Sequence, residues 1–213
     1  MTTPPVPLPQ SLTALPLATP GMRIGLFGGS FNPAHAGHRL VALEALKRLR
    51  LDAVWLLVSP GNPLKKHDDL APLAARVAGA NAATHHPRIK ATGFEAAHGF
   101  RYTYDTLSFL RARYPAARFV WIMGADNLAQ FHRWEHWRAI AEMLPLAIYI
   151  RPGATRSALA SVAARALLAY RIDERDAPLL ADLEPPAWVY LHGVTSTLSS
   201  SVIRARSPRK IEA

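Results

Sequence analysis

The chain contains no cysteine, which excludes disulfides and thiolate metal sites. That composition suits a reducing compartment, and a cytoplasmic location is the expectation. No apolar run approaches the ~18 residues that a membrane-spanning helix requires. The longest runs, Val54 to Val58 and Leu146 to Ile150, read as buried strands. The proline-broken start, residues 1–21, lacks the basic opening and continuous apolar stretch of a signal peptide. It is expected to be a disordered or surface-draped tail. Acidic residues are few: 15 Asp plus Glu against 25 Lys plus Arg leave a formal net charge of +10. That balance favours anionic partners, which are either nucleic acid or small phosphorylated molecules. The aromatic-and-basic pattern of an RNA-binding surface is missing, and so is the GxGxxG of a dinucleotide-binding dehydrogenase. Neither an internal repeat nor a linker divides the chain.

Of the 213 residues, half are hydrophobic, enough for one domain with a sizeable core. Short apolar runs alternate with amphipathic stretches, the pattern of βαβ units around a parallel sheet. Strands are predicted over Met22–Phe27, Ala53–Val58, Phe119–Met123, Leu146–Ile150 and Val189–Leu191. Helices are predicted over Gly37–Leu51, Leu73–Thr84, Thr103–Tyr114, Trp134–Met143 and Ser157–Tyr170, with a short one at Ser199–Arg206. Residues 88–100 read as a strand and a turn. This alternation places ligands outside the carboxyl ends of the strands.

Gly28 to His38 (GGSFNPAHAGH) occupies the junction between the first strand and the first long helix. Gly28 and Gly29 permit a sharp turn and close approach of a ligand to the backbone. Pro33 stiffens the loop, and Gly37 leaves room for phosphate where free N–H groups and the helix dipole favour an anion. His35 and His38 lie three residues apart, so in a helical first turn they share a face and can donate to one phosphate. Each feature alone is more often a plain turn or an incidental histidine pair. A metal site is a weaker alternative, because no carboxylate or cysteine accompanies the pair.

The segment resembles the GG(S/T)F(D/N)PxHxGH signature of the HxGH nucleotidyltransferases and is most similar to bacterial nicotinate-nucleotide adenylyltransferases. The resemblance runs from about Arg23 to Arg204. It implies an α/β fold of Rossmann-like nucleotidyltransferase type, a mostly parallel sheet with helices on both faces. The nucleotidyltransferase domain is then 22–206, flanked by the Pro-rich tail at 1–21 and a short C-terminal tail at 207–213. It also implies that His35 and His38 hold the ATP phosphates, with Gly28, Gly29, Ser30, Phe31 and Gly37 beside the nucleotides. Leu198 to Arg204 (LSSSVIR) resembles the ISSTxIR motif of the family, with Ser201 in place of threonine. By that likeness Ser201 and Arg204 grip the triphosphate, helped by Ser199 and Ser200. In isolation it would read as a serine-capped surface helix.

Further resemblances address the second substrate. Trp121 to Trp134 is similar to the family's (F/W)IxGxDxLxxFxxW segment, implying Gly124 and Asp126 near the ATP ribose and Trp134 stacked on a pyridine ring. Tyr102 and Thr103 begin a stretch like YTxxTL, which reads the nicotinate carboxylate. Asn32 joins them at nicotinate mononucleotide. Lys66, in Asn62–Lys66, lies in a stretch that resembles a loop whose basic residue meets the ATP phosphate, and Arg151, in Arg151–Gly153, in one that resembles another turn on the ATP side. Trp134 and Trp137 could equally be core aromatics. The implied partners are ATP and nicotinate mononucleotide, with Mg2+ held mainly by the ATP phosphates rather than by protein ligands. No nucleic acid or membrane partner is expected, and the chain is a monomer or a homodimer. The alternatives are a nicotinamide-mononucleotide or other HxGH enzyme, and a basic nucleic-acid-binding protein with a non-catalytic nucleotide site.

Overall fold

The computed structural model describes residues 9–61, 70–150 and 155–192. Among these residues seven strands form one sheet: β1 Arg23–Gly29, β2 Ala53–Val58, β3 Ile89–Thr92, β4 Arg118–Gly124, β5 Leu146–Tyr149, β6 Arg171–Ile172 and β7 Trp188–Leu191. Their order is β3-β2-β1-β4-β5-β7-β6, and every pairing is parallel. The inner strands β2, β1, β4, β5 and β7 are apolar on both faces, as a doubly covered parallel sheet requires. Helices α1 to α9 span Gln10–Thr13, Ala36–Arg48, Leu73–Thr84, Phe94–Ala97, Thr103–Arg113, Ala125–Gln130, Trp137–Met143, Thr155–Leu159 and Val162–Ala166. Alternate strand residues feed two cores. Leu26, Trp55 and Trp121 pack with Leu107 and Leu110 of α5 and Ile140 of α7. On the opposite face Phe27, Leu56 and Ile122 pack with Val41 and Leu46 of α2 and Val77 of α3.

The chain builds outward from β1 to β2 and β3, then crosses back so that β4 lies on the other side of β1. The crevice at the carboxyl ends of β1 and β4 is therefore a topological switch point, where open α/β sheets bind ligands. Gly28 and Gly29 are the last two residues of β1, paired in register with Leu57 and Val58.

Several elements differ from expectation for identifiable reasons. Helix α2 stops at Arg48 rather than Leu51, with Arg50 at a left-handed φ of 49° just beyond it. The predicted Ser157–Tyr170 helix is broken into α8, α9 and a 3-10 turn at Leu168–Tyr170. Ser161 causes one break, because its hydroxyl accepts the Ala164 N–H and caps α9 instead of continuing a helix. The helix expected from Trp134 begins only at Trp137, since Trp134 is extended and His136 is left-handed. Helix α6, strand β6 and a 3-10 stretch over Glu174–Asp182 were not anticipated. Residues 9–21 drape over the body: Leu12 C=O accepts the Gly93 N–H at 2.8 Å, and Ala14 C=O accepts the Thr92 hydroxyl at 2.9 Å. The predicted helix at Ser199–Arg206 lies outside the described residues.

The Glu174–Asp182 stretch fastens distant parts of the chain. Asp182 pairs with Arg23 of β1 at 2.6 Å and with Arg118 of β4. Glu174 pairs with Arg48 at the end of α2 and accepts the His192 backbone N–H at 2.8 Å, just beyond β7. Partial burial pushes the Glu174 carboxyl up, but hydrogen bonds from Arg48 and from His192, with the Arg48 charge, outweigh it and hold the group at about 2. A depressed carboxylate contributes stability above its unfolded value of 4.5, and that contribution is lost as pH falls towards about 2. Glu174→Gln is expected to flatten the acid limb of a Tm-against-pH curve between those values. At neutral pH it should lower Tm by about 2–4 °C, the effect of ~1 kcal/mol at this size, which is the upper end for a partly exposed pair.

Candidate active site

The two signature histidines do not share a helical turn as expected. His35 is extended, at φ −150° and ψ 172°, and caps α2 from outside, while His38 lies inside the first turn. They nevertheless meet, because each caps the other's backbone. Nδ1 of His35 accepts the Gly37 N–H at 3.1 Å, and Nδ1 of His38 accepts the His35 N–H at 3.2 Å. This is a capping box made from imidazoles. It brings the ring centroids to 3.9 Å and buries both rings. A ring nitrogen that accepts a backbone N–H carries no proton, so the hydrogen-bond network assigns the proton of each neutral ring to Nε2. Nε2 is thus the atom through which each ring can donate to phosphate.

Beneath His38 lies Phe31, with ring centroids 4.8 Å apart. Phe31 has a φ of 47°, a strained conformation for a bulky residue. Its buried ring supports the histidine rather than facing a ligand. Asn32 is also buried, and its Oδ1 accepts the Ala71 N–H at 3.2 Å, which ties the loop to the entry of α3.

A cavity of about 440 Å3 opens beside this loop at the carboxyl ends of β1, β2 and β4. Gly28, Gly29 and Ser30 form one wall, and Tyr102, Thr103 and Trp134 another. Residues far apart in sequence are thereby brought together as expected. Trp121 of β4 lies against Gly28 and is edge-on to Trp134, 6.3 Å between centroids. The two candidate tryptophans separate: Trp137 is core, whereas Trp134 is half-buried and lines the cavity. Tyr102 caps α5 without a side-chain hydrogen bond, so the first N–H groups of this 11-residue helix begin at the cavity wall. Gly124 caps α6 and Asp126 is exposed in its first turn, both at the carboxyl end of β4. Among the cavity-lining residues, Asn32, His35, His38, Gly37, Gly124 and Asp126 do not figure. Lys66, Arg151, Ser199, Ser200, Ser201 and Arg204 lie outside the described residues.

With this geometry in place, comparison with known proteins is decisive. Residues 26–206 match the Cytidylyltransferase-like family. The chain is 56% identical over 190 residues to a protein of Mesorhizobium japonicum named probable nicotinate-nucleotide adenylyltransferase, covering 89% of this chain and 97% of that one. It is 57% identical over 185 residues to a protein of the same name in Methylorubrum extorquens, covering 87% and 100%. The chain belongs to the nicotinate-nucleotide adenylyltransferase family. The fold is also that of Plasmodium falciparum nicotinic acid mononucleotide adenylyltransferase complexed with NaAD, with a TM-score of 0.63 at 17% identity over 86% of this chain and 83% of that one.

In this member of the adenylyltransferase family, one residue that holds the site together gave no signal in the sequence. Arg76 lies in the first turn of α3, yet it is buried. Its guanidinium donates to three carbonyls: Ser30 at 2.9 Å, Ser59 at 2.7 Å and Ala71 at 2.8 Å. It therefore pins the loops after β1 and β2 and the approach to α3. Burial lowers its pKa. Ser59, Pro60 and Gly61 also line the cavity, and the rule placing ligands at strand carboxyl ends could have found them.

The Gly28–Trp121 contact is directly testable. A Cβ on Gly28 would lie 2.4 Å from Trp121 Cη2. Gly28→Ala is expected to destabilise the fold by about 1–3 kcal/mol through overpacking. Combining it with Trp121→Phe should recover most of the loss, because the contacting ring is then absent. Thermal denaturation of the single and double variants provides the measurement; no recovery would dismiss the contact.

Proposed function

We propose that this chain catalyses attack by the 5′-phosphate of nicotinate mononucleotide on the α-phosphorus of ATP. An oxygen of the mononucleotide forms the new P–O bond, the bond from the α-phosphorus to the oxygen bridging the α- and β-phosphates breaks, and pyrophosphate leaves. The product is nicotinate adenine dinucleotide, an intermediate of NAD biosynthesis. The nucleophile is already ionised, so no strong base is required. Catalysis then rests on positioning and on electrostatic stabilisation of the crowded α-phosphate.

The observation that carries this reading is the reciprocal histidine cap at the sheet's switch point, beside a cavity walled by Tyr102, Thr103 and Trp134. His35 and His38 are read as phosphate donors, and Trp134 as the platform for the pyridine ring. Ser201 and Arg204, with Ser199 and Ser200, complete the grip on the triphosphate; Lys66 and Arg151 join on the phosphate side. Gly124 and Asp126 serve the ATP ribose, and Asn32 orders the loop next to the mononucleotide. Mg2+ would offset the polyphosphate charge. The ion is read as held mainly by phosphates and water. The same reading places the reaction in the cytoplasm.

A pyrophosphate-release assay with ATP and a panel of mononucleotides tests the proposal. Release is expected with nicotinate mononucleotide, and a clear preference for the nicotinamide form would contradict the assignment of Tyr102 and Thr103. His38→Ala is expected to lose roughly 10²–10³ in turnover, comparable to removing one oxyanion donor. Near-normal turnover in that variant would remove the histidine from the mechanism.

A further inference from the structure

Among the described residues, four ionisable side chains other than Tyr102 line the cavity: Arg101, Arg133, Glu95 and Glu135. Their commitments differ. Glu95, at the start of α4, is buried and accepts the Thr106 hydroxyl at 2.7 Å. Burial pushes its carboxyl above the usual range against the pull of that hydrogen bond. Glu135 is exposed and lies 3.6 Å from His136 Nε2. No hydrogen bond or ion pair engages the guanidinium of Arg101 or of Arg133 among the described residues. Each stands one position before a residue of the ring-binding wall, Arg101 before Tyr102 and Arg133 before Trp134.

Among the described residues, the ring end of the cavity therefore has two cations without carboxylate partners, next to the open N-terminus of α5. We infer that Arg101 and Arg133 are specificity-determining residues that favour a mononucleotide with an anionic ring substituent over its neutral amide. A carboxylate matches the planar, bidentate fork of a guanidinium. A carboxamide offers one acceptor and no net charge, and its two N–H donors meet like groups. Selection comes from the charge difference, so the arginines act on the mononucleotide and not on ATP.

This inference rests on the proposed reaction, and one experiment separates their failures. Pyrophosphate release is measured at saturating ATP for nicotinate and nicotinamide mononucleotides, using wild type, Arg101→Gln, Arg133→Gln, the double variant and the corresponding lysine variants. In the double glutamine variant kcat/KM for the nicotinate form is expected to fall on the order of tenfold, the sum of two partly exposed ion pairs. The nicotinamide form and KM for ATP should stay within about twofold, as for a change that touches neither. Lysine should restore part of the preference, because it keeps the charge but loses the fork. An equal fall for both mononucleotides, a raised KM for ATP, or an unchanged preference would overturn the inference while leaving the reaction standing. A wild-type enzyme that releases no pyrophosphate with any mononucleotide would instead overturn the proposed function.

Discussion

The site depends on the way α2 begins. A helix leaves its first N–H groups without internal partners, and here two of the donors around its start are taken up by the Nδ1 atoms of His35 and His38. That satisfies the backbone and decides the chemistry at once. With Nδ1 committed, both neutral rings carry their proton on Nε2, and the rings sit 3.9 Å apart. A serine or aspartate cap would serve the helix as well but would leave no pair of imidazole donors. The Phe31 backbone, strained to φ 47°, is a consequence of the same arrangement, since its ring lies under His38.

What surrounds the cap explains why it stays in place. Arg76 ties Ser30, Ser59 and Ala71 with one guanidinium, so the loops after β1 and β2 are fixed relative to each other. Asn32 adds a second tie to Ala71. On the other side of β1, Trp121 fills the space that a side chain at Gly28 would need. The glycine is thus selected by packing as much as by turn geometry, since Gly28 is still in the β1 ladder opposite Leu57. Loops held this firmly need little ordering when a ligand arrives, which is the structural content of preorganisation.

Much of the fold was legible in the chain. The boundaries of Ala53–Val58 and Leu73–Thr84 agree with the structure to the residue, because a short continuous apolar run and an alanine-rich amphipathic stretch each read clearly. Legibility failed where local chemistry competed with periodicity. Ser161 split a predicted helix by capping the next one, and Trp134 left the helix expected to contain it. In the second case extended backbone lets Trp134 line the cavity while Trp137 enters the core. Periodicity sees two tryptophans three apart and cannot separate them.

By itself, the sequence determined the class of fold, the family and the glycine and histidine segment at the end of β1, because glycines, histidines and strand–helix alternation act over a few neighbouring positions. The tertiary structure decided which face of each residue is used. It placed Arg76 inside rather than on the surface, made His35 a cap rather than a helical residue, and brought Arg101 and Arg133 to one wall. Those outcomes depend on contacts between β1, β2, β4 and their helices, and such long-range contacts leave no period in the chain. The direction of a proton on an imidazole, or the burial of one guanidinium, is fixed by which distant backbone group lies opposite it.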